Sequence, residues 1–185
     1  MKLDKCTTSI PDLTVLEPNV YEDNRGFFYE SYNLSDFKKL LKIDKSFIQD
    51  NHSLSHNNVL RGLHYQIIKP QGKLVRVIKG EIYDVAVDLR KSSEYFGNWY
   101  GIYLSAENKK QLWIPEGFAH GFLVTSAIAE VVYKTTEYRY QEHERTILWN
   151  DPEIDIKWPK IDNLIISEND KNAKYLKENE IFEQF

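Results

Sequence analysis

The chain has 185 residues, 42% hydrophobic and 14% aromatic with twelve tyrosines; this is enough apolar material for one domain, residues 1–185, with a real core, and excludes a disordered or fibrous chain. A net charge of −4 offers nucleic acid and anionic membrane no general attraction, so an anionic ligand has to be held by a local cluster of cations. The single cysteine, Cys6, excludes an internal disulfide; with no apolar leader-like run and no stretch of membrane-spanning length, the expectation is a soluble cytoplasmic protein.

Strand patterns recur at short intervals, punctuated by Gly, Pro, Asn and Asp. In chain order they predict strands over 13–16, 27–32, 46–52, 59–66, 73–79, 81–89, 98–104, 111–114, 120–125 and 129–138. The clearest alternation is "EIYDVAVDLR", with Tyr83, Val85, Val87 and Leu89 on one face and Ile82, Asp84, Ala86 and Asp88 on the other. One helix is predicted over 34–42, capped by Ser35, with Phe37, Leu40 and Leu41 on one side. A second, weaker helical pattern lies in the charged tail, near 170–182. Many short strands with almost no crossover helices predict an all-β antiparallel sandwich or barrel, a jelly roll with short peripheral helices.

Two stretches stand out chemically. "RGLHYQ" (61–66) puts an arginine and a histidine in an apolar strand. Strict alternation would send Arg61 and His64 to opposite faces, and Gly62 is where a bulge would turn both inward. "WIPEGFAHGF" (113–122) carries a P-x-G-x-x-H core that resembles the second motif of cupins, small jelly-roll barrels that often bind a metal. The first cupin motif usually supplies H-x-H and a downstream carboxylate. Here Gln66 stands at the second ligand position and Lys73 follows, a cation that would repel a metal. His64 and His120 alone make a poor metal site; His52, His56 and His143 lie in polar stretches and read as solvated. A barrel interior holding His, Arg, Lys, Tyr and Asp suits an organic anion and acid–base work.

"YEDNRGFFYESYN", "FIQDNHS", "NVLRGLHYQ", "GKLVRVIKGEIYDVAVDLR", "LSAENKKQLWIPEGFAHGF", "YKTTEYRY", "LWNDPEIDIKWP" and "SENDKNA" together resemble the dTDP-4-dehydrorhamnose 3,5-epimerases, in order and spacing, over nearly the whole chain. The resemblance implies a cupin-type fold and an enzyme without metal or cofactor. It would invert C3 and C5 of a dTDP-4-keto-6-deoxy sugar through an enolate. It implies His64 as base, Asp170 as the carboxylate orienting that ring, Tyr133 as acid on the opposite face and Lys73 as the cation beside the ketone oxygen. Arg25 and Arg61 would hold the diphosphate, Phe27 and Tyr138 would sandwich the thymine, and His120 would contact the sugar. Glu30, Gln49, Asp50, Asn51 and Glu144 would fix polar groups of nucleotide and sugar. The resemblance also implies a homodimer whose N-terminal strands cross over, so that Arg25, Phe27 and Glu30 serve the neighbouring site. One departure stands at Asn169, where many members carry Lys before the aspartate; it bears on nucleotide and sugar choice. Rival readings are a C3-only epimerase or a related ketosugar isomerase, a non-catalytic nucleotide-sugar-binding cupin, and a metal-dependent cupin, the last disfavoured by Gln66.

Overall fold

A computed structural model describes residues 3–160 and 162–185. Its strands are β1 (Leu3–Thr7), β2 (Thr14–Pro18), β3 (Tyr21–Asp23), β4 (Gly26–Phe28), β5 (Gln49–His56), β6 (Val59–Gln66) and β7 (Lys73–Lys79). They continue as β8 (Glu81–Asp88), β9 (Trp99–Ser105), β10 (Gln111–Ile114), β11 (Phe118–Val124), β12 (Ile128–Thr135), β13 (Glu144–Thr146) and β14 (Ile165–Ile166). Helix α1 spans Leu34–Leu41 and the single turn α2 spans Glu168–Lys171. One sheet runs β1-β2-β10-β7-β12-β5; the other runs β13-β6-β11-β8-β9, with β14 added parallel to β6. The remaining ladders are antiparallel, and among the described residues β3 pairs only with β4. This is the jelly-roll sandwich that the strand pattern predicts. Among the described residues no helix is long and apolar enough to cross a membrane.

The alternation in β8 explains how the layers stack. Ile82 and Ala86 enter the core between the sheets, with Val75, Val77, Leu112, Phe122 and Val131. Val85, Val87 and Leu89 face the other way, where Leu63, Tyr65, Ile154, Leu176 and Phe182 cover them. A third cluster on the outer face of the first sheet joins Leu16, Leu74 and Trp113 to Phe37 of α1.

Several boundaries move. The cap of α1 is Asn33 rather than Ser35: its side chain accepts hydrogen bonds from the N–H groups of Ser35 and Asp36. Of the strand predicted over 27–32 only Phe27 and Phe28 are strand, as the end of β4; β5 begins at Gln49 rather than at 46, and β12 stops at Thr135. The tail does not form a helix over 170–182. Its apolar residues are needed one at a time against the second sheet, so α2 stops after a turn, Leu176 and Phe182 insert into the core, and Phe182 bridges to Arg90.

Candidate active site

The seam between β6 and β11 determines where the site residues point. His64 pairs with His120, but Arg61 pairs with Phe122, so β6 carries one extra residue across this interval. That register shift is the bulge expected at Gly62, whose φ is +119° and whose peptide to Leu63 is cis. The strands approach closely here because both sides lack a side chain. A Cβ on Gly62 would lie 2.5 Å from Cα of Gly121, and one on Gly121 would lie 2.7 Å from the Arg61 carbonyl oxygen. Only glycine meets these demands.

His64 Nε2 donates to Asp170 Oδ1 at 2.7 Å. Its other nitrogen, Nδ1, has no hydrogen-bond partner among the described residues and is the one left to accept a proton. Asp170 is buried at the end of α2, where Ser167 caps its N–H and the Gly62 N–H approaches its Oδ2 at 3.4 Å. Burial works to raise the Asp170 pKa. The bond and charge of His64, with the Gly62 and Ser167 donors, outweigh it and hold the carboxyl below its usual value.

Lys73 reaches across from the first sheet. It is buried, and its Nζ donates to the His64 carbonyl oxygen at 3.3 Å. Burial pulls its pKa down to about 8, although Asp84 and Glu144 push the other way. Tyr133 sits on β12 in register with Asn51 of β5 and Val75 of β7. Its phenol is shifted upward by burial, an effect that Arg139 and Arg61 oppose.

His120 is buried on β11 and bonded through Nε2 to Asp84 Oδ2 at 2.8 Å. Glu144 on β13 is held bidentately by Arg139, at 2.7 and 2.9 Å, and this bond above all lowers its pKa. Gln49 bonds to Asn51 and accepts the Arg139 N–H. Arg61 Nε donates to Ser55 Oγ. These elements therefore gather His64, Asp170, Lys73, Tyr133, His120, Gln49, Asn51 and Glu144, while Arg61, expected to turn inward, is exposed beside them.

Other predicted site residues lie elsewhere in this chain. Asp50, one step out of phase with its neighbours on β5, takes the opposite face and pairs with Lys134. Arg25 and Phe27 sit on the exposed β3–β4 hairpin, where Arg25 pairs with Asp23 and the ammonium of Lys109 lies over the Phe27 ring. Glu30 lines a pocket beside α1 with Asn33, Asp36 and Gln111. Tyr138 and Asn169 are exposed. Gln66 is buried, and its amide is fully engaged with backbone: it donates to the Lys69 and Tyr138 carbonyls and accepts from the Tyr140 N–H.

Two further residues of the site were missed, and only the first carried a signal in the sequence. Asp84 is a carboxylate on the inward face of "EIYDVAVDLR", a position that burial normally denies to an unpaired charge. Arg139 follows Tyr138 in a polar stretch, and nothing local distinguishes it.

A family model described as dTDP-4-dehydrorhamnose 3,5-epimerase matches residues 7–178. The protein of that name from Pseudomonas aeruginosa is 57% identical over 166 residues, covering 90% of this chain and 92% of its own length. One from Methanothermobacter thermautotrophicus is 52% identical, covering 95% of each chain. The solved dTDP-6-deoxy-D-glucose-3,5-epimerase of Legionella pneumophila, in complex with dTDP-4-keto-L-rhamnose, superposes with a TM-score of 0.94. It is 49% identical and covers 95% of this chain and 94% of its own. With its motifs in order along the same jelly roll, the chain belongs to the dTDP-4-dehydrorhamnose 3,5-epimerase family.

Proposed function

We propose that the protein inverts C3 and C5 of a dTDP-4-keto-6-deoxy-hexose by proton transfer, with no metal or cofactor. The observation that carries this reading is the His64–Asp170 pair at 2.7 Å, set beside a buried ammonium that touches the same histidine's carbonyl. Both carbons flank the C4 ketone, so a proton at either is removable once the oxygen can accept the electrons. Neutral His64 takes the proton at Nδ1, and Asp170 stabilises the imidazolium that forms. The electron pair moves to O4 as an enolate, and the charge of the buried Lys73 compensates it. Tyr133 then delivers its phenolic proton to the opposite face. The phenolate is reprotonated from solvent, His64 releases its proton to solvent, and no net charge changes.

Arg61 provides a fork for phosphate oxygens. His120, Gln49, Asn51 and Glu144 are placed to fix sugar and nucleotide groups, and Tyr138 offers an exposed ring for stacking on the base. Arg25, Phe27 and Glu30 reach a site only if a second copy lies alongside, which supports a homodimer with exchanged N-terminal segments. We take residues 1–185 as one domain, because its clusters share strands. The cytoplasmic setting rests on the single cysteine, which has nothing to bridge within the chain.

The test is time-resolved NMR with dTDP-4-keto-6-deoxyglucose in D2O. His64→Ala is expected to abolish deuterium exchange at both C3 and C5, a loss of ~10²–10⁴-fold typical of a general base. Tyr133→Phe is expected to keep some exchange while losing inverted product. Rapid exchange by His64→Ala at either carbon would remove it as sole base, and exchange confined to C3 in the wild type would reassign the protein as a C3-epimerase.

A further inference from the structure

Asp84 is wholly buried, at 0% exposure, yet only one of its oxygens is satisfied. Oδ2 holds His120, while Oδ1 is buried with no hydrogen-bond partner among the described residues. A half-satisfied carboxylate in a sheet interior is a costly arrangement, and it persists where a second charge balances it. The Lys73 ammonium is in the mirror-image position: it is buried, and its one hydrogen bond among the described residues is to the His64 carbonyl. The two are linked through the strand register. Lys73 touches β6 at His64, His64 pairs with His120 on β11, and His120 bonds Asp84 on β8.

We propose that Asp84 is a positioning residue with two tasks: it orients the His120 ring through Oδ2 and, across the interior, keeps the Lys73 ammonium charged. The other groups around Lys73 do not replace it. Glu144, from β13, is already in a bidentate pair with Arg139. Asp170, from α2, is engaged with His64 and Gly62. Glu116, beyond β10, turns to Lys45 and Thr136, and β10 itself has no ionisable side chain. His64 and Arg61 on β6, His120 on β11, Tyr133 on β12 and Arg139 beyond it supply no fixed negative charge. Asp84 is also the largest influence opposing the effect of burial on Lys73.

The kinetic part of the test rests on the epimerase reading, but the titration part does not. In ligand-free protein labelled with 13C-lysine, the Cε signal of Lys73, assigned by its loss in Lys73→Met, should titrate at about 8. In Asp84→Asn the midpoint should move to lower pH by about 1–3 units, as expected for loss of a nearby opposite charge. Asp84→Glu should restore part of that shift. The alkaline limb of kcat/KM should move the same way, so that Asp84→Asn loses more activity at pH 8 than at pH 6. An unmoved Lys73 midpoint in folded Asp84→Asn overturns the proposal. If Asp84→Asn does not fold, the double variant Lys73→Met/Asp84→Asn decides: recovery of folding supports the coupling, and continued failure makes Asp84 a structural residue independent of Lys73. A shifted titration in a wild type that does not epimerise the dTDP-ketosugar would sink the function and leave the role of Asp84 intact.

Discussion

Lys73 has opposite consequences for catalysis and for stability, because one displaced titration governs both. Its pKa is about 8 in the fold, against 10.5 for an ordinary lysine. Below pH 8 it is cationic and able to stabilise an enolate; above, it is neutral. We expect kcat/KM to fall along an alkaline limb near pH 8, measured as a pH–rate profile, and to fall little there in Lys73→Met, whose residual rate is already low. For stability the sign reverses. Between pH 8 and 10.5 the unfolded chain binds a proton that the folded chain has released, so unfolding becomes harder as pH rises through that window. The difference in unfolding free energy between wild type and Lys73→Met should therefore shift in favour of wild type from pH 8 to pH 10.5, as read by denaturant titration at each pH. On the proposed mechanism, the enzyme is expected to work best where this lysine destabilises it most.

The β6–β11 seam makes the same kind of demand on a whole element. Gly62 and Gly121 meet across the bulge with no room for a methyl group on either side, and Gly62 also has a positive φ. Gly62→Ala is expected to lower Tm by on the order of 5–10 °C, since overpacking against backbone has no flexible neighbour to yield. It should also reduce activity by disturbing His64, which a thermal melt and an assay on the same sample would show. The seam was partly legible in advance. Arg61 and His64 have the wrong spacing for a shared face, and Gly62 marked where the phase had to slip. The two faces of β8 were legible too, because period-2 alternation survives burial on both sides. The two-residue β14 and three-residue β13 were not, since so few residues establish no periodicity. The tail misread as a helix has its apolar residues spaced for docking rather than for one helical face. Asn33 was missed as a cap because Ser35 is equally good chemistry, and only the backbone shows which side chain meets the N–H groups of the first turn. Asp84 was assigned the correct face, but its bonded partner, His120, comes from another strand, β11, and no local pattern reports that.

At the scale of the molecule, the β3–β4 hairpin is unfinished. Phe27 and Phe28 are 60% and 65% exposed, and the Arg25 side chain is 85% exposed, on a ribbon that among the described residues pairs only with itself. An isolated two-stranded ribbon showing such rings is marginal in water. Light scattering at micromolar concentration should give a dimer, and Arg25→Ala should raise KM while leaving the monomer fold intact; a fully active monomer would contradict the exchanged-segment arrangement. Chelation should leave activity unchanged, with metal analysis finding well below one transition metal per chain. Gln66, the residue that departs from the cupin ligand pattern, fastens Lys69, Tyr138 and Tyr140 by three backbone hydrogen bonds. Replacing it with histidine would add a potential ligand but release the segment that carries Tyr138. A step from this barrel toward a metal site at that position therefore costs the loop its anchor, which ties the chemistry of the interior to the architecture at its rim.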